Sequence, residues 1–165
     1  MLRIVVIQSE DEIQECAVLL AKSFATVAKQ YGLTEDNAPT NPAFMTAQRL
    51  SEYLRKPVML FGMLEDNRLV GCVALERAKT EPDTFYVERL AVDPTQRHQG
   101  YGETLMSFAT ETIRRVGGRQ ASIGVMNQNK VLKDWYQRQG FVEIERKHFE
   151  HLPFEVCFMS KGLGA

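Results

Sequence analysis

The chain has 165 residues, of which 44% are hydrophobic and 25% charged, and its formal net charge is −1. This length suits one domain with a core of its own, and the composition is that of a soluble globular protein. The near-neutral charge gives no support for nucleic acid or an anionic membrane as a partner. The scattered residues Cys16, Cys72 and Cys157 match neither a disulfide framework nor a metal-binding spacing, so we expect buried free thiols.

The hydropathy of the chain gives no sign of a membrane segment. No run approaches the ~20 apolar residues that a membrane span needs, and the apolar N-terminus is too short for a signal peptide. We therefore expect a cytoplasmic protein.

The first half of the chain predicts a strand, two helices and a β-hairpin. β-branched residues over Leu2–Ile7 indicate the strand, and Ser9 with Glu12 forms a capping box that begins a helix. Apolar side chains then recur at helical spacing up to a stop signal at Gly32, namely Ile13, Ala17, Leu20, Phe24, Val27 and Tyr31. The elements predicted next are a loop over Leu33–Pro42, a helix over Phe44–Arg55, and strands over Val58–Leu64 and Leu69–Glu76.

The second half alternates strands with helices. The predicted elements are strand Phe85–Val92, helix Glu103–Val116, strand Ala121–Met126, helix Asn129–Arg138, a β segment that begins over Phe141–Ile144, and strand Glu155–Met159. No repeat, low-complexity segment or linker interrupts them. The pattern predicts a single mixed α/β domain over residues 1–165.

The segment Leu90–Thr104 is typical of an anion-binding turn. A strand leads into a loop, and Gly100 and Gly102 then open a helix whose first N–H groups have no internal partner. The helix dipole adds partial positive charge at this end, and Arg97 adds a full charge suited to phosphate. These features favour pyrophosphate binding; the alternative is a strand–helix connection that uses its glycines only for packing.

Two nucleotide-binding motifs do not fit this segment. A dinucleotide-binding fingerprint needs a third glycine where Leu105 stands, and the Gly-Lys-Ser/Thr of a P-loop is absent. Arg97-His98-Gln99-Gly100-Tyr101-Gly102 instead resembles the Arg/Gln-x-x-Gly-x-Gly/Ala signature of the GCN5-related N-acetyltransferase (GNAT) family. The preceding Leu-Ala-Val-Asp-Pro is also typical of the strand that leads into that turn.

A second block of the chain resembles the same family independently. After the strand that ends at Met126 come Asn129, the pair Trp135-Tyr136 and the pair Gly140-Phe141, in the order and spacing of the family. The resemblance extends from the first strand to Phe158–Lys161. It departs at Leu132, where the family commonly has a small residue.

The resemblance implies a GNAT fold, a twisted and mostly antiparallel mixed sheet flanked by helices. The parallel strands Phe85–Val92 and Ala121–Met126 would splay apart and bind acetyl-CoA between them, the pantetheine arm pairing with the first strand. The cofactor-binding residues expected on this basis are Leu90, Ala91, Val92, Arg97, Gln99, Gly100, Tyr101, Gly102, Thr104, Asn129 and Tyr136.

The resemblance also implies the chemistry, which is transfer of the acetyl group to a primary amine of a small molecule or peptide by direct attack in a ternary complex. Tyr136 stands where the family has a general acid, and the Val92 N–H would serve the thioester carbonyl. Glu88 is the candidate base, since strand alternation predicts that it shares a face with Leu90 and Val92 while Arg89 points to the other face. The alternatives are a core aromatic for Tyr136 and a salt bridge for Glu88.

Three histidines and one loop are further candidates for the site. His98 falls in the pyrophosphate loop, away from the expected thioester. His148 and His151 lack metal-ligand spacing, so we expect no metal site there. These two histidines could instead line the acceptor pocket. The loop from Gly32 to Pro42 would face the acceptor.

The sequence leaves three further questions open. A homodimer is considered, since dimers are common in the family. A non-catalytic acyl-CoA-binding or regulatory module is the alternative function. An acceptor on tRNA or a ribosomal protein is also considered, although the net charge does not favour it.

Overall fold

In the computed structural model, residues 1–164 are described. Their strands and helices follow one another as β1 (Leu2–Val6), α1 (Glu10–Gln30), α2 (Ala47–Tyr53), β2 (Val58–Glu65), β3 (Arg68–Arg77), β4 (Thr84–Val92), α3 (Tyr101–Arg115), β5 (Gln120–Met126), α4 (Lys130–Arg138), β6 (Val142–His148) and β7 (Glu155–Gly162). Single 3₁₀ turns cover Pro42–Phe44 and Pro94–Gln96.

All these strands lie in one sheet of order β1-β2-β3-β4-β5-β7-β6. Each neighbouring pair is antiparallel except β4–β5, which is parallel. The parallel pairing joins only Thr84–Tyr86 to Gln120–Ser122. Beyond that point β5 remains paired with β7 as far as Met126, while β4 continues beside β3, so a gap opens between β4 and β5.

Helices cover both faces of the sheet, and each face has its own apolar core. One core joins α3 and α4 to the strands, through side chains such as Leu105, Ile113 and Phe141. The other joins α1 and α2 to the opposite face, through Leu20 and Leu50. The predicted class, a mixed α/β fold with splayed parallel strands, is confirmed.

Local sequence signals account for most helix ends. Ser9 and Glu12 form the expected capping box of α1, and Asn129 caps α4 by accepting a hydrogen bond from the Leu132 N–H. Helix α2 begins three residues later than predicted. Asn41 caps the short 3₁₀ turn, and Thr46 then caps α2 by accepting from the Arg49 N–H, so the helix begins only after this second cap.

The last two strands run further than predicted, β6 to His148 and β7 to Gly162. The expectation for the cysteines is confirmed, because Cys16, Cys72 and Cys157 are all buried and free.

Gly118 lets α3 pack closely onto the parallel strands. A methyl group at this position would collide with Ile113 Cγ2 at the end of α3 and would lie 2.8 Å from Cδ1 of Phe85 on β4. Both neighbours are buried core side chains, so neither can move aside freely.

We expect Gly118→Ala to lower the free energy of unfolding by about 1–3 kcal/mol, because it overpacks this junction. Urea denaturation followed by circular dichroism measures the change. Gly162→Ala is the matched control, since a methyl group there meets no atom within 4 Å. Equal stability of the two variants would contradict this account of Gly118.

Candidate active site

A cavity of about 1250 Å³ occupies the gap between β4 and β5. Residues Tyr86–Val92 of β4 and Ser122–Gly124 of β5 form its walls, and side chains of α1, α3 and α4 close it. The volume exceeds the ~300–1,000 Å³ of ordinary small-ligand pockets, so an extended ligand fits here better than a compact one.

Most residues predicted for the site line this cavity, namely Glu88, Leu90, Ala91, Val92, Arg97, Gly100, Tyr101, Gly102, Asn129 and Tyr136. Gln99 and Thr104 are absent from the lining. Their side chains instead bond within the turn, Gln99 Nε2 to Gln96 Oε1 at 3.2 Å and the Thr104 hydroxyl to the Gly100 carbonyl at 3.0 Å. The Gln99 contact lies in the loop before α3, and the Thr104 contact lies in the first turn of that helix.

The N-terminus of α3 presents free amides to the cavity. Gly100 caps the helix with φ +80°, a left-handed conformation that suits glycine, and space is open where its side chain would be. The Thr104 N–H makes the first intrahelical bond, to the Gly100 carbonyl, so the N–H groups of Tyr101, Gly102 and Glu103 precede it. This arrangement of donors can bind an anion.

Gly102 packs closely against Trp135. A methyl group there would lie 3.3 Å from Cζ2 of Trp135, which packs from α4 against the start of α3. The two predicted motifs, Arg97–Gly102 and Asn129–Phe141, therefore meet at this contact.

Arg97 connects the turn to α1. Its Nη2 donates to the Ser23 carbonyl at 3.1 Å and to the Ser23 hydroxyl at 3.4 Å, and its Nη1 donates to the Thr26 hydroxyl at 3.4 Å. The guanidinium thus lines the cavity while it fixes the turn against the helix.

The expected common face of Glu88, Leu90 and Val92 is wrong. Cys72 of β3 pairs with Ala91 and Ala74 pairs with Glu88, so Arg89 and Leu90 together stand opposite the single residue Val73. This β-bulge reverses the alternation of side chains along β4. Leu90 and Val92 pack toward the core of α3, whereas Glu88 lies on the face of α1 and α2.

Tyr53 of α2 is the direct partner of Glu88. Its hydroxyl donates to Glu88 Oε1 at 2.6 Å. Burial raises the pKa of the Glu88 carboxyl above its usual range; the Tyr53 hydrogen bond opposes that rise and the nearby Glu76 adds to it. Burial and the Glu88 charge in turn hold the pKa of the Tyr53 phenol well above its usual range, so Tyr53 remains a donor.

The expected orientation of Arg89 is also wrong. Its guanidinium carbon lies 4.3 Å from the centroid of the Tyr53 ring, on the same side of the sheet as Glu88. The bulge causes this, because Arg89 has φ +53° and its carbonyl accepts a hydrogen bond from the Cys72 thiol at 3.4 Å.

Tyr136 is a buried residue of α4 whose ring packs edge-on against Trp135 and Phe141. It lines the cavity. Burial raises the pKa of Tyr136 to about 12, so the phenol keeps its proton at neutral pH.

Sequence reasoning missed Tyr53 and the wall formed by α1, where Phe24 and Val27 line the cavity. The helical spacing had identified both α1 residues, but only as core side chains. His98 lines the cavity, whereas His148 and His151 line neither this cavity nor the smaller one beside α2.

Residues 1–164 contain neither a candidate metal site nor a candidate membrane span. No group of three or more His, Cys, Asp or Glu side chains is arranged to hold a metal ion. None of the helices found there combines the length and the apolar character that crossing a membrane requires.

Comparison with known proteins gives a family match and structural neighbours. The acetyltransferase (GNAT) family model matches residues 25–141. An amino-acid acetyltransferase of Neisseria meningitidis is 32% identical over 94 residues, which cover 56% of this chain and 20% of that protein. The matches span about a fifth of the length of such curated relatives.

Among solved structures, the ribosomal-protein-S18-alanine N-acetyltransferase of Escherichia coli superimposes with a TM-score of 0.77 at 13% identity, covering 100% of this chain and 96% of that one. The PaiA N-acetyltransferase of Thermoplasma acidophilum, solved in complex with coenzyme A, gives 0.73 at 18% identity, with 98% and 99% covered. At these identities the likeness concerns the fold alone. The family match covers most of the chain, and the protein belongs to the GNAT family of acetyltransferases.

Proposed function

We propose that this protein is an N-acetyltransferase that moves the acetyl group of acetyl-CoA to a primary amine. The observation that carries the proposal is the gap between β4 and β5, with the free amides of α3 at one end and Glu88 and Tyr136 along it. Membership of the GNAT family supports it. The named relatives, an amino-acid acetyltransferase and a protein-alanine acetyltransferase, are consistent with an amine acceptor.

The open edge of β4 would bind the pantetheine arm. The Asp93 N–H donates to the Val70 carbonyl of β3 at 2.8 Å, and N–H groups alternate along a strand. The Val92 N–H therefore points away from β3, toward the gap. It would donate to the thioester carbonyl as negative charge develops on that oxygen.

The start of α3 would bind the pyrophosphate. The amides of Tyr101, Gly102 and Glu103 offer donors without side chains in the way at Gly100 and Gly102. Arg97 would add charge nearby while it keeps its contacts with α1. Gln99 and Thr104 would act through the shape of the turn, and Asn129 by capping α4 so that Tyr136 faces the cavity.

The reaction needs a base for the amine and a donor for the departing sulfur. The amine nitrogen attacks the carbonyl carbon, the C–N bond forms, and its proton passes to the Glu88 carboxylate, directly or through water. The C–S bond breaks as the thiolate leaves. The raised pKa of Glu88 makes this carboxylate a stronger base than an ordinary glutamate.

Tyr136 would assist the sulfur as a hydrogen-bond donor. Its pKa of about 12 lies well above the ~8.5 of a thiol, so complete proton transfer from the free phenol is unfavourable. A hydrogen bond to the forming thiolate still stabilises the developing charge, because the phenol is neutral and buried.

The decisive experiment measures free-thiol release from acetyl-CoA with a panel of primary amines. Turnover with any amine supports the proposal. Acetyl-CoA binding without turnover on the whole panel would favour the non-catalytic binding module instead. The single-domain organisation, a homodimer and a cytoplasmic location stay predictions from the sequence.

Gly100→Asp should weaken acetyl-CoA binding, because it adds a negative charge beside the free amides of α3. Gly100→Asn is the matched control, since asparagine has the same shape and also tolerates φ +80°. Isothermal titration calorimetry compares the two dissociation constants. If both variants bind acetyl-CoA equally well, the pyrophosphate does not lie at this turn.

Tyr136→Phe should lower turnover by about 10²–10³-fold with little change in acetyl-CoA affinity, because one hydrogen-bond donor to the developing thiolate is lost. Steady-state kinetics and calorimetry separate the two effects. Tyr31→Phe serves as the control, since Tyr31 lines neither cavity. An unchanged rate in Tyr136→Phe would remove the hydroxyl from the mechanism.

Tyr53→Phe should move the acid limb of the pH–rate profile to higher pH. A base acts only when deprotonated, so kcat/KM falls as the pH drops through the Glu88 pKa, and the Tyr53 hydrogen bond lowers that pKa. Glu88→Gln should remove the limb altogether. A limb that persists unchanged in Glu88→Gln would show that another group is the base.

A further inference from the structure

A second cavity of about 360 Å³ lies beside the first, between α2 and the segment that precedes it. Its lining residues include Thr40, Asn41, Arg49, Tyr53 and Arg89. Arg89 also lines the large cavity, so its side chain stands where the two spaces adjoin. A volume of this size suits a small molecule and excludes a folded protein.

Arg89 forms no salt bridge among the described residues, although its charge acts on the neighbouring Glu88 and lowers the pKa of that carboxyl. Its Nε is buried without a hydrogen-bond acceptor, and no Asp or Glu oxygen lies within 4.0 Å of its guanidinium. The Tyr53 ring contacts the face of the guanidinium, with 4.3 Å from the guanidinium carbon to the ring centroid. Burying the Nε–H without an acceptor costs free energy, and an anion bound from the cavity would offset that cost.

The backbone of Arg89 is itself unfavourable. Its φ of +53° is a conformation that side chains other than glycine, asparagine and aspartate rarely adopt. Strain of about 1–3 kcal/mol persists where the surrounding structure enforces it, and such positions concentrate at binding sites. Here the bulge and the Cys72 thiol hold Arg89 in place beside Glu88.

Charges of opposite sign therefore stand side by side at the boundary of the two cavities. Glu88 faces the gap where the amine must approach and accepts a hydrogen bond from the Tyr53 hydroxyl. Arg89, the next residue, lies over the ring of the same tyrosine. A ligand that carries both an ammonium and a carboxylate is complementary in charge to this pair. Arg49 is a weaker candidate for the anion, because its Nη1 already donates to the Phe44 carbonyl at 2.8 Å and its Nη2 lies 4.0 Å from Glu35.

We propose that the acceptor is a free amino acid whose carboxylate binds to Arg89 in the second cavity while its amine approaches Glu88. This inference rests on the proposed function and specifies its acceptor. A planar carboxylate can accept two parallel hydrogen bonds from a guanidinium, which would fix the orientation of the amine. A polyamine fits less well, because its second ammonium group would lie near Arg89 and be repelled.

The first experiment compares acceptors that differ only in the carboxylate. The twenty common L-amino acids and their α-amides are assayed with acetyl-CoA, together with spermidine. We expect kcat/KM for at least one amino acid to exceed that for its amide by about 10- to 100-fold, as for loss of a hydrogen bond to a charged group. Amides or spermidine as the best acceptors would overturn the proposal.

The second experiment alters Arg89. Arg89→Gln should lower kcat/KM for the amino acid about 10- to 100-fold more than it lowers kcat/KM for the amide, so that the preference for the amino acid disappears. Arg89→Lys keeps the positive charge but cannot donate two parallel hydrogen bonds, so its kcat/KM for the amino acid should lie between those of the wild type and Arg89→Gln. Arg55→Gln, an exposed position that lines neither cavity, is the matched control and should match the wild type. Equal losses for amino acid and amide in both Arg89 variants would mean that Arg89 is only structural.

A binding measurement keeps the two proposals distinguishable. If no amine is acetylated, the proposed function fails, and calorimetry with the same amino acids in the presence of coenzyme A decides on the subsite. Binding that is lost in Arg89→Gln and kept in Arg55→Gln would support a carboxylate subsite. Absence of binding to the wild type would overturn it. Thermal unfolding of each variant checks that the Arg89 substitutions leave the fold intact.

Discussion

The parting of β4 from β5 is the constraint on which the rest of the molecule depends. The two strands pair over three residues each, and β5 then keeps its other neighbour, β7, to its end. Backbone donors and acceptors of β4 are consequently left without a strand partner in the interior of the sheet. Such groups are costly unless something bonds to them, and here they face a cavity rather than the core. The free amides of α3 open onto the same space.

The bulge at Arg89 and Leu90 divides β4 into two functional halves. Before it, Phe85 and Val87 belong to the core under α3, and after it Leu90 and Val92 do so again. In an uninterrupted strand, Glu88, Leu90 and Val92 would share one face and Phe85 and Val87 the other. The four apolar side chains could then not all face the core under α3. The extra residue of the bulge lets all four apolar side chains face this core. It turns Glu88 and Arg89 together toward Tyr53, while the backbone of Leu90–Val92 stays on the gap.

The sequence allowed the fold to be predicted where its signals are local. The capping box at Ser9 and Glu12, the left-handed Gly100 and the cap at Asn129 each depend on a few neighbouring residues. The bulge has no such signal, because no glycine marks it and its presence follows from the register with β3. Tyr53 was missed for a similar reason, since its partner Glu88 lies 35 positions away. The second helix begins later than predicted because Thr46, inside the predicted helix, is a competent cap.

The Arg97–Gly102 turn and the β4 edge have a further consequence for how the sequence can change over evolution. If main-chain groups make most contacts with the common substrate, few side chains are required for that task beyond those that keep the turn and the gap in shape. Mutations at most other positions then leave that half of the site intact. The fold itself persists at low identity, as the superposition with a TM-score of 0.77 at 13% identity illustrates. The helix and loop that precede β2 are free to diversify under the same scaffold, so new specificities can arise there without rebuilding the rest.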